Sequence, residues 1–77
     1  MDIRRQVGLN VRRIRKEHDW SQEEFAFETE LHRTYISGIE RGIRNPTVLI
    51  IAKLASALGV QPMDLLKPVG KTGTKNS

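Results

Sequence analysis

The sequence predicts an all-α domain of five short helices, and three kinds of observation carry that prediction. Apolar residues recur at three- and four-residue spacing in separate stretches, as one buried face of a helix requires. Residues suited to a helix start stand just ahead of those stretches. Ser21 with Glu24 three residues on forms a capping-box signature, Thr47 suits an N-cap, and Pro62 suits a first helical position. Residues suited to a helix end follow them: Gly42 and Gly59 stand where a left-handed residue is wanted.

The first helix runs from Met1 to His18, because Ile3, Val7, Val11 and Ile14 fall at spacings of four, four and three on one face. Its other faces carry Arg4, Arg5, Arg12, Arg13, Arg15 and Lys16, the most basic segment of the chain, part of it simply a solvated face. Asp19 and Trp20 lead to the cap at Ser21. Trp20, the single tryptophan, is expected to close the core at this corner, since so large a ring is costly to leave in water. Stacking on a base is the alternative, and duplex readers do not need an aromatic platform for that. The second helix starts at Gln22, presents Phe25, Ala26 and Thr29, and breaks between Glu28 and His32. Phe27 is left without an assigned partner.

The third helix, Arg33 to Arg41, carries Tyr35, Ile36 and Ile39 at helical spacing. The fourth runs from the Thr47 cap to Leu58. Spacing gives it a core face of Val48, Ile51, Ala52, Ala55 and Leu58, with Leu49 and Ile50 surplus on the outside. The fifth begins at Pro62 and holds Met63, Leu65 and Leu66. Beyond it KPVGKTGTKNS has Gly, Thr and Lys without periodicity, so the domain is placed at 1–67 and a flexible basic tail at 68–77.

Seventy-seven residues allow one small domain with a modest core. With no cysteine there is no disulfide framework and no thiolate metal site, and neither histidine has a carboxylate or serine at catalytic spacing. An enzyme is therefore not expected, nor is a cofactor. No apolar run reaches membrane-span length and the N-terminus does not read as a signal peptide, which points to the cytoplasm. A formal net charge of +4 favours an anionic partner.

Two short helices joined by a tight turn form a helix-turn-helix, in which the second helix can enter the DNA major groove. If Ile36 and Ile39 face the core, Arg33 and Thr34 point outward from the first turn of helix three, with Ser37 and Gly38 one turn later. An arginine fork matches the O6 and N7 acceptors of guanine, and a threonine methyl packs on the thymine methyl. Gly38 is costly inside a helix, so either the backbone approaches DNA closely there or a weak spot is tolerated. Glu23, Glu24, Glu28 and Glu30 repel phosphate and must face away from it. His32 can cap helix three or meet a phosphate. Arg41, Arg44 and Asn45 supply cationic and amide donors on a loop closed by Pro46.

The stretch SQEEFAFETELHRTYISGIERG resembles the helix-turn-helix of the phage repressor and Cro-like family, also called the xenobiotic-response-element family. HRTYISGIERGIRNPT is especially similar to its restriction-modification controller branch, and the likeness extends from about Val7 to Leu66. One departure is Glu30, which stands at the turn position where the family usually has glycine. The resemblance implies a compact five-helix repressor-like domain and a sequence-specific regulator acting on a two-fold related duplex operator, in a prokaryote or phage. It places Gln22 on a backbone phosphate and, with His32, Tyr35, Arg41, Arg44 and Asn45, completes the expected phosphate contacts. It also implies an ion pair between Arg15 and Glu40, structural in role. RNA polymerase is a further expected partner.

A helix apolar all round needs a second layer, and a chain this short has little to offer. Burial in a second subunit resolves this, with Leu49, Ile50, Met63 and Leu66 as the expected homodimer surface. The competing function class is a helix-turn-helix module used for protein contact, an antitoxin or adaptor. Such a module would not need Arg33, Arg41 and Arg44 on one surface.

Overall fold

The computed structural model describes residues 2–69 and contains five helices: α1 (Ile3–Glu17), α2 (Gln22–Thr29), α3 (Arg33–Glu40), α4 (Val48–Leu58) and α5 (Pro62–Leu66). The proposed tail from residue 70 onward lies outside the described residues. Each helix start has a local cause. The Asp2 carboxylate accepts from the Arg4 N–H at 2.8 Å. At α2 the capping box is complete, with Ser21 Oγ accepting from the Glu24 N–H at 3.0 Å and the Glu24 carboxylate accepting from the Ser21 N–H at 2.8 Å. Thr47 Oγ1 accepts from the Ile50 N–H at 3.1 Å, and Pro62 occupies the first turn of α5. Gly42 and Gly59 close α3 and α4 in left-handed conformation, at φ 77° and 74°.

The α2–α3 turn is built on Glu30, whose φ of 60° and ψ of 25° are left-handed. The Leu31 N–H returns to the Ala26 carbonyl at 3.1 Å, the bond that closes such a helix end. Buried Thr29 secures the corner from inside: its hydroxyl donates to the Ala26 carbonyl at 3.0 Å and accepts from the Leu31 N–H at 3.2 Å.

All five helices contribute to one core. Val7, Val11 and Ile14 meet Phe25 and Ala26, Ile36 and Ile39, the α4 residues Ile51, Leu54, Ala55 and Leu58, and Leu65. Trp20 closes the corner between α1 and α2, its ring stacked between His18 at 4.5 Å and Phe25 at 6.0 Å between centroids. The face of α4 differs from the spacing-based expectation. Leu54 is buried, whereas Val48 is 84% exposed, Ala52 is exposed and Ile50 is half-buried against the core. Ile51, Leu54, Ala55 and Leu58 form an equally regular helical stripe, and the larger Leu54 fills the centre better than Ala52 does. Val48, at the first position of α4, lies past the edge of that stripe.

Two contacts fix how the helices sit. At Gly8 the main chain of α1 approaches α3 so closely that a Cβ would overlap the carbonyl oxygens of Ile39 and Glu40. Buried Asn10 donates from Nδ2 to the carbonyls of Leu65 at 3.0 Å and Lys67 at 2.9 Å, while Gln6 donates to that of Leu66 at 2.7 Å. These bonds occupy carbonyls at the end of α5 that a five-residue helix leaves unpaired.

Candidate nucleic-acid interface

Helix α3 is held from below and free above. Ile36 and Ile39 are buried in the core, and Arg33 and Thr34 are exposed on the first turn. Ser37 is half-buried one turn on. His32 is the N-cap, its Nδ1 accepting from the Thr34 N–H at 3.3 Å while the residue remains exposed. Capping and a phosphate contact are thus compatible, since only one ring nitrogen is used.

The underside of α3 is tied to α1 by charge. Arg15 Nε donates to Glu40 Oε2 and Arg15 Nη2 to Glu40 Oε1, at 2.6 and 3.0 Å. The same guanidinium donates to the Trp20 carbonyl at 2.7 Å, and Gln22 Nε2 donates to Glu40 Oε1 at 3.1 Å. Gln22 therefore orients its amide on α3 from the first turn of α2, with its carbonyl oxygen and second N–H not used in that bond.

Gly38 departs from the expectation of an open outer position, because it is buried. The Arg44 side chain lies across it: a Cβ built on Gly38 would stand 2.7 Å from Arg44 Cγ and 3.1 Å from Nε. The guanidinium carbon of Arg44 sits 5.5 Å from the centroid of the half-buried Tyr35 ring. Arg44 is thus folded back onto α3, and no pattern in the sequence signals this. Arg41 and Asn45 are exposed on either side of it. Among the described residues the Arg41 side chain makes one long bond, Nε donating to the Ser37 carbonyl at 3.4 Å.

A separate apolar surface lies on α4 and α5. Leu49 is 82% exposed, Met63 64% and Leu66 45%, and Val48 and Ile3, which the spacing argument did not count as exposed, are exposed as well. Ile50 is half-buried, with part of its side chain packed against the core. A cavity of about 260 Å³ opens in this surface, lined by Ile3, Val7, Val48, Ile51, Ala52 and Leu66 among others.

Two short helices across a left-handed turn, the second presenting Arg33 and Thr34 above a buried apolar face, define a helix-turn-helix domain. The helix-turn-helix family profile matches residues 11–65, and the chain belongs to that family. It is 56% identical over 66 residues to the control protein C.BamHI of Bacillus amyloliquefaciens, covering 84% of this chain and 82% of that one. Among solved structures it is similar to the restriction-modification controller protein C.AhdI of Aeromonas hydrophila, with a TM-score of 0.77 and 40% identity over 80% of this chain and 94% of that one. It is also similar to the restriction-modification controller protein C.Esp1396I, solved as a tetramer in complex with its natural 35 base-pair operator. That likeness has a TM-score of 0.74 and 32% identity over 87% of this chain and 99% of that one.

Proposed function

We propose that the protein is a transcription regulator that binds a two-fold related duplex operator as a homodimer and controls a restriction-modification system. The observation that carries this reading is the first turn of α3, where Arg33 and Thr34 are exposed on a helix whose opposite side is fixed in the core. Arg33 and Thr34 read base edges, with Ser37 beside them. Gln22 at the start of α2, and His32, Tyr35, Arg41, Arg44 and Asn45, distributed from the N-cap of α3 to the loop beyond its C-terminus, supply neutral and cationic donors, the chemistry that sets register on a phosphate backbone. The likeness to control proteins supports the restriction-modification role.

Leu49, Met63 and Leu66, with Val48, form the subunit contact, and a two-fold axis through it sets two reader helices about 34 Å apart, one turn of duplex. Contact with RNA polymerase at the controlled promoter, in the cytoplasm, is part of the same proposal. The test is selection of duplexes from a random pool by the purified protein. Enrichment of two inverted half-sites about one helical turn apart supports the reading. Recovery of no preferred sequence would reject it in favour of a protein-contact module.

A further inference from the structure

Gly38 lies on the reader helix beneath an arginine that comes from the following loop. The three nearest atoms to a Cβ placed there are all in the Arg44 side chain, Cγ at 2.7 Å, Nε at 3.1 Å and Cδ at 3.4 Å. The first of these is closer than real contacts allow, so any side chain at 38 displaces Arg44. Beyond the glycine the guanidinium reaches the Tyr35 ring, 5.5 Å from its centroid. Tyr35 and Gly38 are three residues apart, and so are neighbours on one side of α3. Together they make a shallow seat with a missing side chain at one end and an aromatic face at the other.

We propose that Gly38 is a positioning residue for DNA binding, acting through Arg44: its missing side chain lets the arginine lie down on α3 and hold its charge at the edge of the reading surface before DNA arrives. The proposal rests on the reading of Arg44 as a DNA contact. An arginine free in solution loses rotamer freedom when it is captured by a phosphate, and a seated one has lost it already. The gain from seating one such side chain is about two- to tenfold in affinity. The seat also explains a glycine inside an eight-residue helix, where alanine would ordinarily be preferred. The atoms a methyl group would meet are those of a flexible side chain. The nearest of them, Arg44 Cγ at 2.7 Å, lies early on that side chain, so Gly38→Ala turns Arg44 about its Cα–Cβ bond and off α3, while no core side chain is among the three nearest atoms.

The experiment is a double-mutant cycle on operator affinity with the intact chain, combined with ¹⁵N relaxation and ring-current shifts of the Arg44 side chain in the DNA-free protein. Gly38→Ala is expected to melt at or above the wild-type temperature, to weaken operator binding about two- to tenfold, and to release Arg44 Nε–H from its ordered, ring-shifted state. In an Arg44→Ala background the same change is expected to cost nothing further. A full Gly38→Ala penalty without Arg44 would overturn the proposal and show that the glycine admits DNA itself. Unaltered affinity of Gly38→Ala, or an Arg44 side chain already mobile in the wild type, would also overturn it. Arg44→Ala binding as tightly as wild type would instead sink the reading of Arg44 as a DNA contact, which the relaxation data on the free protein distinguish from failure of the seat.

Discussion

Arg15 and Glu40 meet as a two-pronged ion pair between α1 and α3, with side chains only 9% and 4% exposed. Both carboxylate oxygens accept from the guanidinium, the Trp20 carbonyl takes a third arginine N–H, and Gln22 adds a bond to one carboxylate oxygen. The pair therefore joins the end of α3, the long helix α1 behind it and the first turn of α2. Removing one member leaves the other buried and unpaired, which costs about 3–5 kcal/mol. Arg15→Met and Glu40→Leu are each expected to lower the melting temperature by more than 10 °C, roughly as that loss implies for a domain of this size. The double variant, with no orphaned charge, is expected to recover most of the loss. Thermal melts of the three variants check this, and additive losses would show that the pair's geometry, not its desolvation, sets the stability.

Gly8→Ala is expected to destabilise the fold by about 1–3 kcal/mol, the usual cost of overpacking. Helix propensity alone favours alanine by roughly 0.5–1 kcal/mol. The obstacle is main chain, the Ile39 and Glu40 carbonyls, so the methyl group fits only if α1 and α3 part. Because those carbonyls belong to α3, operator affinity should fall with stability. Denaturant unfolding and a binding titration on the same sample test both halves.

These positions mark how far the sequence alone could be read. Ser21 with Glu24, Thr47 and Pro62 announced helix starts because capping is local chemistry, written within four residues. The outward turn of Arg33 and Thr34 was legible for a similar reason, since Ile36 and Ile39 fix the rotation of a short helix. The face of α4 was legible only in part: Leu49 is exposed and Ile51, Ala55 and Leu58 are buried as spacing predicts, but with Val48 to Ala52 apolar on every side periodicity could not set its edge, and packing selects Leu54 in place of Val48 and Ala52. Gly8, Asn10 and the Arg44 seat leave no local signal either. Each depends on a partner from a distant element or from a loop whose path no spacing rule records.

Glu30→Gly is expected to raise stability by up to about 1 kcal/mol. A non-glycine residue in left-handed conformation carries about 1–2 kcal/mol of strain, and Glu30 has φ 60°. Its partner Lys53 stands 3.9 Å away on an exposed surface, a contact worth about 0–1 kcal/mol. Glycine's larger unfolded-state entropy offsets part of the relief. A melting temperature a few degrees above wild type is the expected outcome, and one at or below it would show that the turn is not strained.

Arg33→Ala is expected to weaken binding to the selected operator by about 1–3 kcal/mol while scarcely changing affinity for unrelated duplex, because a base-edge contact is lost. Arg44→Ala should act on both duplexes alike and flatten the slope of log affinity against log salt by about one unit. Titrations of each variant on the two duplexes at several salt concentrations separate the roles. Equal losses for Arg33→Ala on both would make it a phosphate contact.

Leu49→Glu is expected to give a folded monomer that binds the operator much more weakly. Leu49 is 82% exposed, beside Val48 at 84%, and neither belongs to the core. A charge there leaves the packing of the core undisturbed. In a symmetric dimer the same residue meets its counterpart's surroundings. Each large apolar side chain contributes about 1.5–3 kcal/mol on full burial. Several from each subunit, partly buried, give on the order of 10 kcal/mol, which is comparable to the roughly 4–15 kcal/mol cost of association. With so small a surplus, one glutamate facing its symmetry mate is enough to separate the subunits. Ile50→Glu makes the control, because Ile50 packs partly against the core and its replacement should lower the melting temperature as well. Sedimentation at micromolar concentration gives the oligomeric state and circular dichroism the fold. Leu49→Glu that remains a dimer would move the subunit contact away from α4.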